Sequence, residues 1–155
     1  MTRITAILVL VVAVCAATYV ATLRFCSSRQ EQQTKMLWFA HLEYMNQQST
    51  DAYLHGDPHA GIWAIQHSIA LHHTAGPAHE LLGTDTPLFM SVSYARLAKL
   101  HRSIGDESGY RKHMDLALGF AEQKAGHPVA EATLLGDIAK LDQIEREASQ
   151  QTAAR

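Results

Sequence analysis

The sequence predicts an all-α protein, and three observations lead to that prediction. Nearly half of the 155 residues are apolar. After residue 26 the apolar residues recur at helical spacing, and runs typical of strands are scarce. Two Gly-Asp pairs, Gly56-Asp57 and Gly105-Asp106, separate the apolar stripes and are suited to turns between helices. We therefore expect an N-terminal transmembrane helix, antiparallel helical hairpins and a C-terminal capping helix.

The N-terminal element is an uncharged stretch at residues 4–23. At 1.5 Å rise per residue, a helix of this length spans about 30 Å, which is the thickness of the hydrocarbon core of a bilayer. Residues 1–26 are therefore predicted to be a single-pass membrane anchor, in contact with lipid through residues 4–23.

Two other interpretations of this stretch remain open. A cleaved signal peptide would have the same basic start at Arg3 and the small residues at Ala16-Ala17. A lipoprotein site at Cys15 is disfavoured because Val14 precedes it. Basic residues flank the stretch on both sides, so its orientation is nearly balanced, with a slight preference for a periplasmic or exported soluble part.

The soluble part, residues 27–148, begins with a predicted first hairpin. Residues 27–35 are polar but contain no Gly or Pro, so they should continue as helix into residues 36–55. Asp57 can cap the next helix and Pro58 can open it, because proline is tolerated at a first helical position. Residues 75–87 are rich in helix breakers and predict a loop with a short turn at residues 79–82.

The second hairpin, residues 91–126, has the clearest helical pattern. Small residues, Ala98 and Ala117, stand where the two helices should cross closely, and Gly105 can adopt the left-handed conformation that ends a helix. The apolar stripes of its two helices are Tyr94, Leu97, Ala98 and His101, followed by Tyr110, Met114, Ala117, Leu118 and Ala121.

This stretch resembles a tetratricopeptide (TPR) repeat. Tyr94 matches the first aromatic position, Leu97-Ala98 the leucine–small pair, and Ala117-Leu118 the late alanine-leucine. Tyr110 departs from the pattern, since it occupies a position that is normally small, and the usual proline at the repeat end is absent. The two Gly-Asp turns lie 49 residues apart, whereas the TPR period is about 34.

A final helix is predicted at residues 128–148, followed by a frayed tail at residues 149–155. Its apolar stripe includes Leu134, Ile138, Leu141 and Ile144, and Asp142 is assigned to the charged, exposed side. Such a helix would cap the stack of hairpins.

The TPR resemblance implies a binding function, because TPR repeats bind partners on their concave face. The positions of this sequence that match that face include Asn46, Thr50, Tyr53, Lys99 and Arg102. Lys99 and Arg102 could hold a carboxylate or an acidic peptide. The prediction is a membrane-anchored adaptor or scaffold of the bacterial envelope, with membrane-associated protein partners.

Two rival functions are considered: a structural accessory subunit of a membrane complex, and an exported protein that handles metal or haem. The formal net charge of −2 argues against nucleic-acid binding. His79-Glu80 lacks the second histidine of a zinc motif. His55 and His59 have a suitable spacing of four residues, but Gly56 and Pro58 lie between them, so no metal site is predicted. No catalytic motif is present, so neither an enzyme nor a cofactor is predicted.

One further hypothesis concerns pH. Residues 36–95 contain no Lys or Arg but hold five carboxylates and seven histidines. The charge of this segment should change from about −5 to about +2 on acidification, since imidazoles titrate near pH 6.5.

Overall fold

A computed structural model describes the backbone of residues 3–74 and 86–153. It describes the side chains of residues 18–20, 22, 24–74 and 86–152. The described residues form five α-helices and no strand, which confirms the all-α prediction. The helices are α1 (Arg3–His55), α2 (Pro58–Thr74), α3 (Thr86–Ser103), α4 (Glu107–Ala125) and α5 (Glu131–Ala153). The predicted turn at residues 79–82 lies outside the described residues.

The chain divides into two compact units, Met1–Trp38 and Phe39–Arg155. In the first unit, the predicted transmembrane anchor at residues 4–23 is wrong. Within the part of the chain that the structure describes, no helix combines the length and the apolar character needed to cross a membrane. The single-pass membrane localisation is corrected accordingly.

In the second unit, α1 ends and α2 begins as the Gly-Asp-Pro sequence predicts. Gly56 donates a backbone hydrogen bond of 3.0 Å to the Ala52 carbonyl and closes the last turn of α1. The Asp57 carboxylate accepts from the backbone N–H of His59 at 2.8 Å, which caps α2 from the preceding residue. Pro58 is the first residue of α2, where its missing N–H costs no helical hydrogen bond.

Helices α3 and α4 form the predicted antiparallel hairpin. Gly105 has φ +79°, a left-handed conformation that favours glycine. Asp106 caps α4 by accepting from the Gly109 N–H at 2.8 Å. Ala98 and Ala117 are both fully buried, which confirms that small residues allow the two helices to approach closely.

Two groups of buried apolar residues hold the second unit together. One joins α3, α4 and α5, and the other joins α2 and α3. The first comprises Ala95, Ala98, Tyr110, Met114, Ala117, Leu134 and Ile138. The second comprises Ile65, Ile69, Met90, Leu97 and Leu100. Helix α3 contributes to both and is therefore the central helix of this unit.

The last helix differs from its prediction in position and orientation. It begins at Glu131 instead of residue 128, and residues 149–153 are helical instead of frayed. Ile144, which was assigned to the apolar stripe, is 62% exposed, whereas Asp142 is only 2% exposed. The carboxylate of Asp142 is therefore directed into the protein.

Candidate functional site

The buried carboxylate of Asp142 joins three helices. Its Oδ2 accepts hydrogen bonds from the Lys99 Nζ at 2.6 Å and from the Tyr53 hydroxyl at 2.7 Å. Its Oδ1 accepts from the Arg96 Nε at 3.1 Å. Since Tyr53 lies on α1, Arg96 and Lys99 on α3, and Asp142 on α5, this single side chain connects all three. We call these four residues, with Glu145, the buried ionic cluster.

Arg96 is the cation at the centre of the buried ionic cluster. Its side chain is only 7% exposed, and it forms ion pairs with both Asp142 and Glu145. A third hydrogen bond, 3.3 Å long, reaches the Thr50 hydroxyl. The guanidinium carbon also lies 5.0 Å from the centre of the Tyr53 ring, within cation–π range. Burying a guanidinium is tolerable here because its donors have partners.

The pKa values in the buried ionic cluster follow from these contacts. Burial acts to raise the pKa of Asp142, but hydrogen bonds from Lys99 and Tyr53 and the charge of Arg96 outweigh it, so the pKa is lowered. Burial, followed by the hydrogen bond to Asp142, raises the pKa of Tyr53 far above its ordinary value. The phenol therefore stays protonated as a donor. Two cations then face two carboxylates, so the cluster is close to neutral.

An open groove lies beside the buried ionic cluster, between α1 and α5. It has a volume of about 760 Å³. The α1 side contributes Glu43, Asn46, Gln47, Thr50 and Asp51, and the α5 side contributes Glu145, Ala148, Ser149 and Thr152. A smaller cavity of about 220 Å³ shares Asn46, Thr50 and Glu145 with the groove and extends to Arg96. We call this feature the α1–α5 groove. The charged side chains that line its open part are carboxylates.

The five predicted partner-binding residues fall into three places. Asn46 and Thr50 line the α1–α5 groove. Tyr53 and Lys99 belong to the buried ionic cluster, where Lys99 already holds a carboxylate, that of Asp142. Arg102 is exposed, and its guanidinium carbon lies 4.9 Å from the centre of the Tyr110 ring. The structure thus brings four of the five together around α1 and separates Arg102 from them.

The sequence prediction missed the residues that complete the cluster, Arg96, Asp142 and Glu145. One signal was present: Leu134, Ile138 and Asp142 follow each other at steps of four, so they share one helix face. Leu134 and Ile138 were assigned to the apolar stripe, but Asp142 was separated from them because it is charged. A carboxylate in line with buried residues indicates a buried cationic partner.

The described residues contain no cluster of three or more His, Cys, Asp or Glu side chains placed to hold a metal ion. Comparisons with protein-family models, with curated proteins and with solved structures find no match. The assignment to the TPR family is therefore wrong. Its motif is degenerate, and the positions that suggested it in α3 and α4 are those that any closely packed helical hairpin fills with leucine and alanine.

Proposed function

We propose that the second unit is a protein–protein interaction module that binds a segment of a partner protein in the α1–α5 groove. The observation that carries this proposal is the groove itself, which is open, polar and large enough for several side chains. Two residues that the sequence analysis selected for partner binding, Asn46 and Thr50, line it.

The charges of the groove favour a basic partner over the acidic one that Lys99 and Arg102 suggested. The Lys99 ammonium already forms an ion pair with the Asp142 carboxylate of the same chain. The open edge instead presents the exposed carboxylates of Glu43 and Asp51. A segment with Lys or Arg side chains and free hydrogen-bond donors complements that edge.

The buried ionic cluster supports this function by shaping the groove. Beyond Ile138, Asp142 is the one described side chain of α5 that is less than a tenth exposed, and it is polar. Its bonds to Arg96, Lys99 and Tyr53 hold the second half of α5 beside α1. The distance between the two groove walls thus depends on polar contacts with defined geometry.

Affinity capture with charge-reversed variants tests this proposal. The amount of each partner protein captured by the wild type is expected to fall at least tenfold with Glu43→Lys/Asp51→Lys. The matched control is Glu107→Lys/Asp115→Lys, which reverses the same number of exposed charges on α4 and should retain them. Equal capture by all three proteins would contradict a role of the groove.

A structural subunit of a larger complex is the second candidate, and the exposed aromatic side chains favour it. Trp63 is 66% exposed and stacks on His67 with ring centres 5.3 Å apart, and Tyr44 is 57% exposed. Aromatic residues of this size are typical of interface centres. Purification from the native source at a constant stoichiometry with one partner, unaffected by the groove variants, would support this candidate over the first.

A further inference from the structure

Two histidines meet inside the α3–α4 hairpin, beside its turn. The ring centres of His101 on α3 and His113 on α4 are 4.9 Å apart. His113 is 9% exposed, and the ring of Tyr94 stacks on it at 6.0 Å between centres. The His101 Nδ1 lies 2.8 Å from the Oδ2 of Asp106, the residue that caps α4.

Each ring has one buried nitrogen for which the described residues offer no hydrogen-bond partner. These atoms are the Nε2 of His101 and the Nδ1 of His113. The Asp106 carboxylate accepts the proton of the His101 Nδ1, so a neutral His101 has its lone pair on the buried Nε2. A proton added to either buried nitrogen would create a buried N–H with no acceptor, next to a second imidazole. Among the described residues, His113 has no carboxylate bonded to its ring, whereas His101 keeps its bond to Asp106.

The charged groups around His113 disfavour that proton on balance. It faces His101 from α3, Lys112 from its own helix and Asp106 from the turn. Burial lowers the pKa of His113 most, the charges of His101 and Lys112 lower it further, and Asp106 opposes them.

Close packing joins the His101 ring to the N-terminal end of α4. A Cβ atom at Gly109 would lie 2.3 Å from the His101 Nδ1 and 2.4 Å from the Asp106 Oδ2. The His101 ring therefore rests directly on the first turn of α4. Because Asp106 binds both the ring and the Gly109 N–H, a shift of His101 also disturbs the cap.

We propose that His101 and His113 form a proton-sensitive latch of the α3–α4 hairpin. The latch holds α4 against α3 while the two buried nitrogens are unprotonated. Uptake of a proton by the pair loosens the first turns of α4, because the new charge gains hydration only when the helices separate there.

The sign of the effect follows from the lowered pKa of His113. The unfolded or open chain binds the proton with the ordinary value near 6.5, and the closed hairpin binds it more weakly. Closure is therefore fully favoured above about pH 6.5 and weakens as the pH falls toward the lower, folded pKa. Each unit by which the pKa is lowered corresponds to a tenfold change in the opening equilibrium.

The test is an NMR titration of the full chain from about pH 7.5 to about pH 5, with hydrogen-exchange protection factors measured at the same pH values. His113 is expected to titrate below 6.5, and protection of Gly109, Tyr110 and their neighbours to fall about tenfold, while α2 amides keep theirs. A His113 pKa at or above 6.5 in the wild type overturns the proposal, and this measurement requires no variant.

Two variants complete the experiment. His113→Phe keeps an aromatic ring against Tyr94 but cannot be protonated, so the hairpin should lose its pH dependence. His127→Gln removes an exposed histidine outside the hairpin and should behave as the wild type does. If His113→Phe retains the full loss of protection at low pH, the latch does not lie in this pair.

Discussion

Removing the carboxylate of Asp142 should destabilise the protein more than a typical substitution does. Asp142 is 2% exposed and accepts hydrogen bonds from Arg96, Lys99 and Tyr53. Breaking a buried ion pair from one side typically costs about 3–5 kcal/mol, because the other charge stays buried without its partner. For Asp142→Ala we expect the lower end, about 3 kcal/mol, since Glu145 still neutralises Arg96 and Lys99, with its side chain 35% exposed, can turn toward water.

A double substitution separates the loss of the pair from the loss of packing. Arg96→Leu together with Asp142→Leu removes both buried charges and fills their space with apolar atoms. Replacing a buried pair by apolar residues is often neutral or stabilising. The double variant should therefore recover most of the stability lost by Asp142→Ala.

Urea unfolding followed by far-UV circular dichroism measures these changes as shifts in midpoint at constant slope. Asp137→Ala is the control, because its ion pair with Lys140 is largely exposed and should contribute less than about 0.5 kcal/mol. A cost below about 1 kcal/mol for Asp142→Ala, or a double variant no more stable than the single one, would refute the role assigned to the buried ionic cluster.

Three further predictions concern single groups. Because the pKa of Asp142 is lowered in the folded state, its stabilisation is complete above the unfolded value near 3.9 and is lost as the pH falls from there through the folded value; Asp142→Asn should therefore flatten acid unfolding below about pH 4. Tyr53→Phe removes one hydrogen bond to that carboxylate and should lower the free energy of unfolding by about 1–2 kcal/mol in urea titrations. Gly109→Ala should lower the thermal midpoint despite the better helix propensity of alanine, since its Cβ would overlap the His101 ring and the Asp106 carboxylate.

Gly119 provides the control for the last of these. It also lies within α4, but a Cβ built there meets no described atom within 4 Å. Gly119→Ala should therefore raise stability, by up to about 1 kcal/mol from helix propensity alone. Should Gly109→Ala raise the midpoint equally, the close packing of the His101 ring on α4 would be disproved.

Local signals in the sequence were sufficient to predict where α1 ends and α2 begins, and to predict the α3–α4 hairpin. Proline at position 58, aspartates at 57 and 106, and a glycine at 105 act through backbone geometry and capping bonds that involve only near neighbours. The small residues at the α3–α4 crossing were likewise predictable from their spacing. The capping predictions rest on interactions within about four residues, and the structure confirms them.

The buried ionic cluster could not be predicted in the same way, because its bonds join residues that are far apart in sequence. Tyr53 and Asp142 are separated by 89 positions and Arg96 and Asp142 by 46. A helical pattern assigns a carboxylate to the solvent side by default. Only the tertiary packing of α5 on α3 shows that Arg96 provides a partner that makes burial of the charge favourable.

The prediction of a membrane span relied on composition alone. Twenty uncharged residues are long enough to cross a bilayer, but among the described residues no helix combines that length with sufficient apolar character. The prediction of the TPR family failed for a related reason: leucine and alanine at helix crossings reflect close packing in many helical folds.

Site-specific photo-crosslinking measures most directly whether the α1–α5 groove binds a partner. A benzophenone side chain at Gln47 lies in the groove, and the same group at Gln66 lies on the exposed face of α2. We predict a discrete adduct from Gln47 that disappears with Glu43→Lys/Asp51→Lys, and none of that mass from Gln66. The same adduct from both positions, or one from Gln47 that is insensitive to charge reversal, would contradict the proposed function.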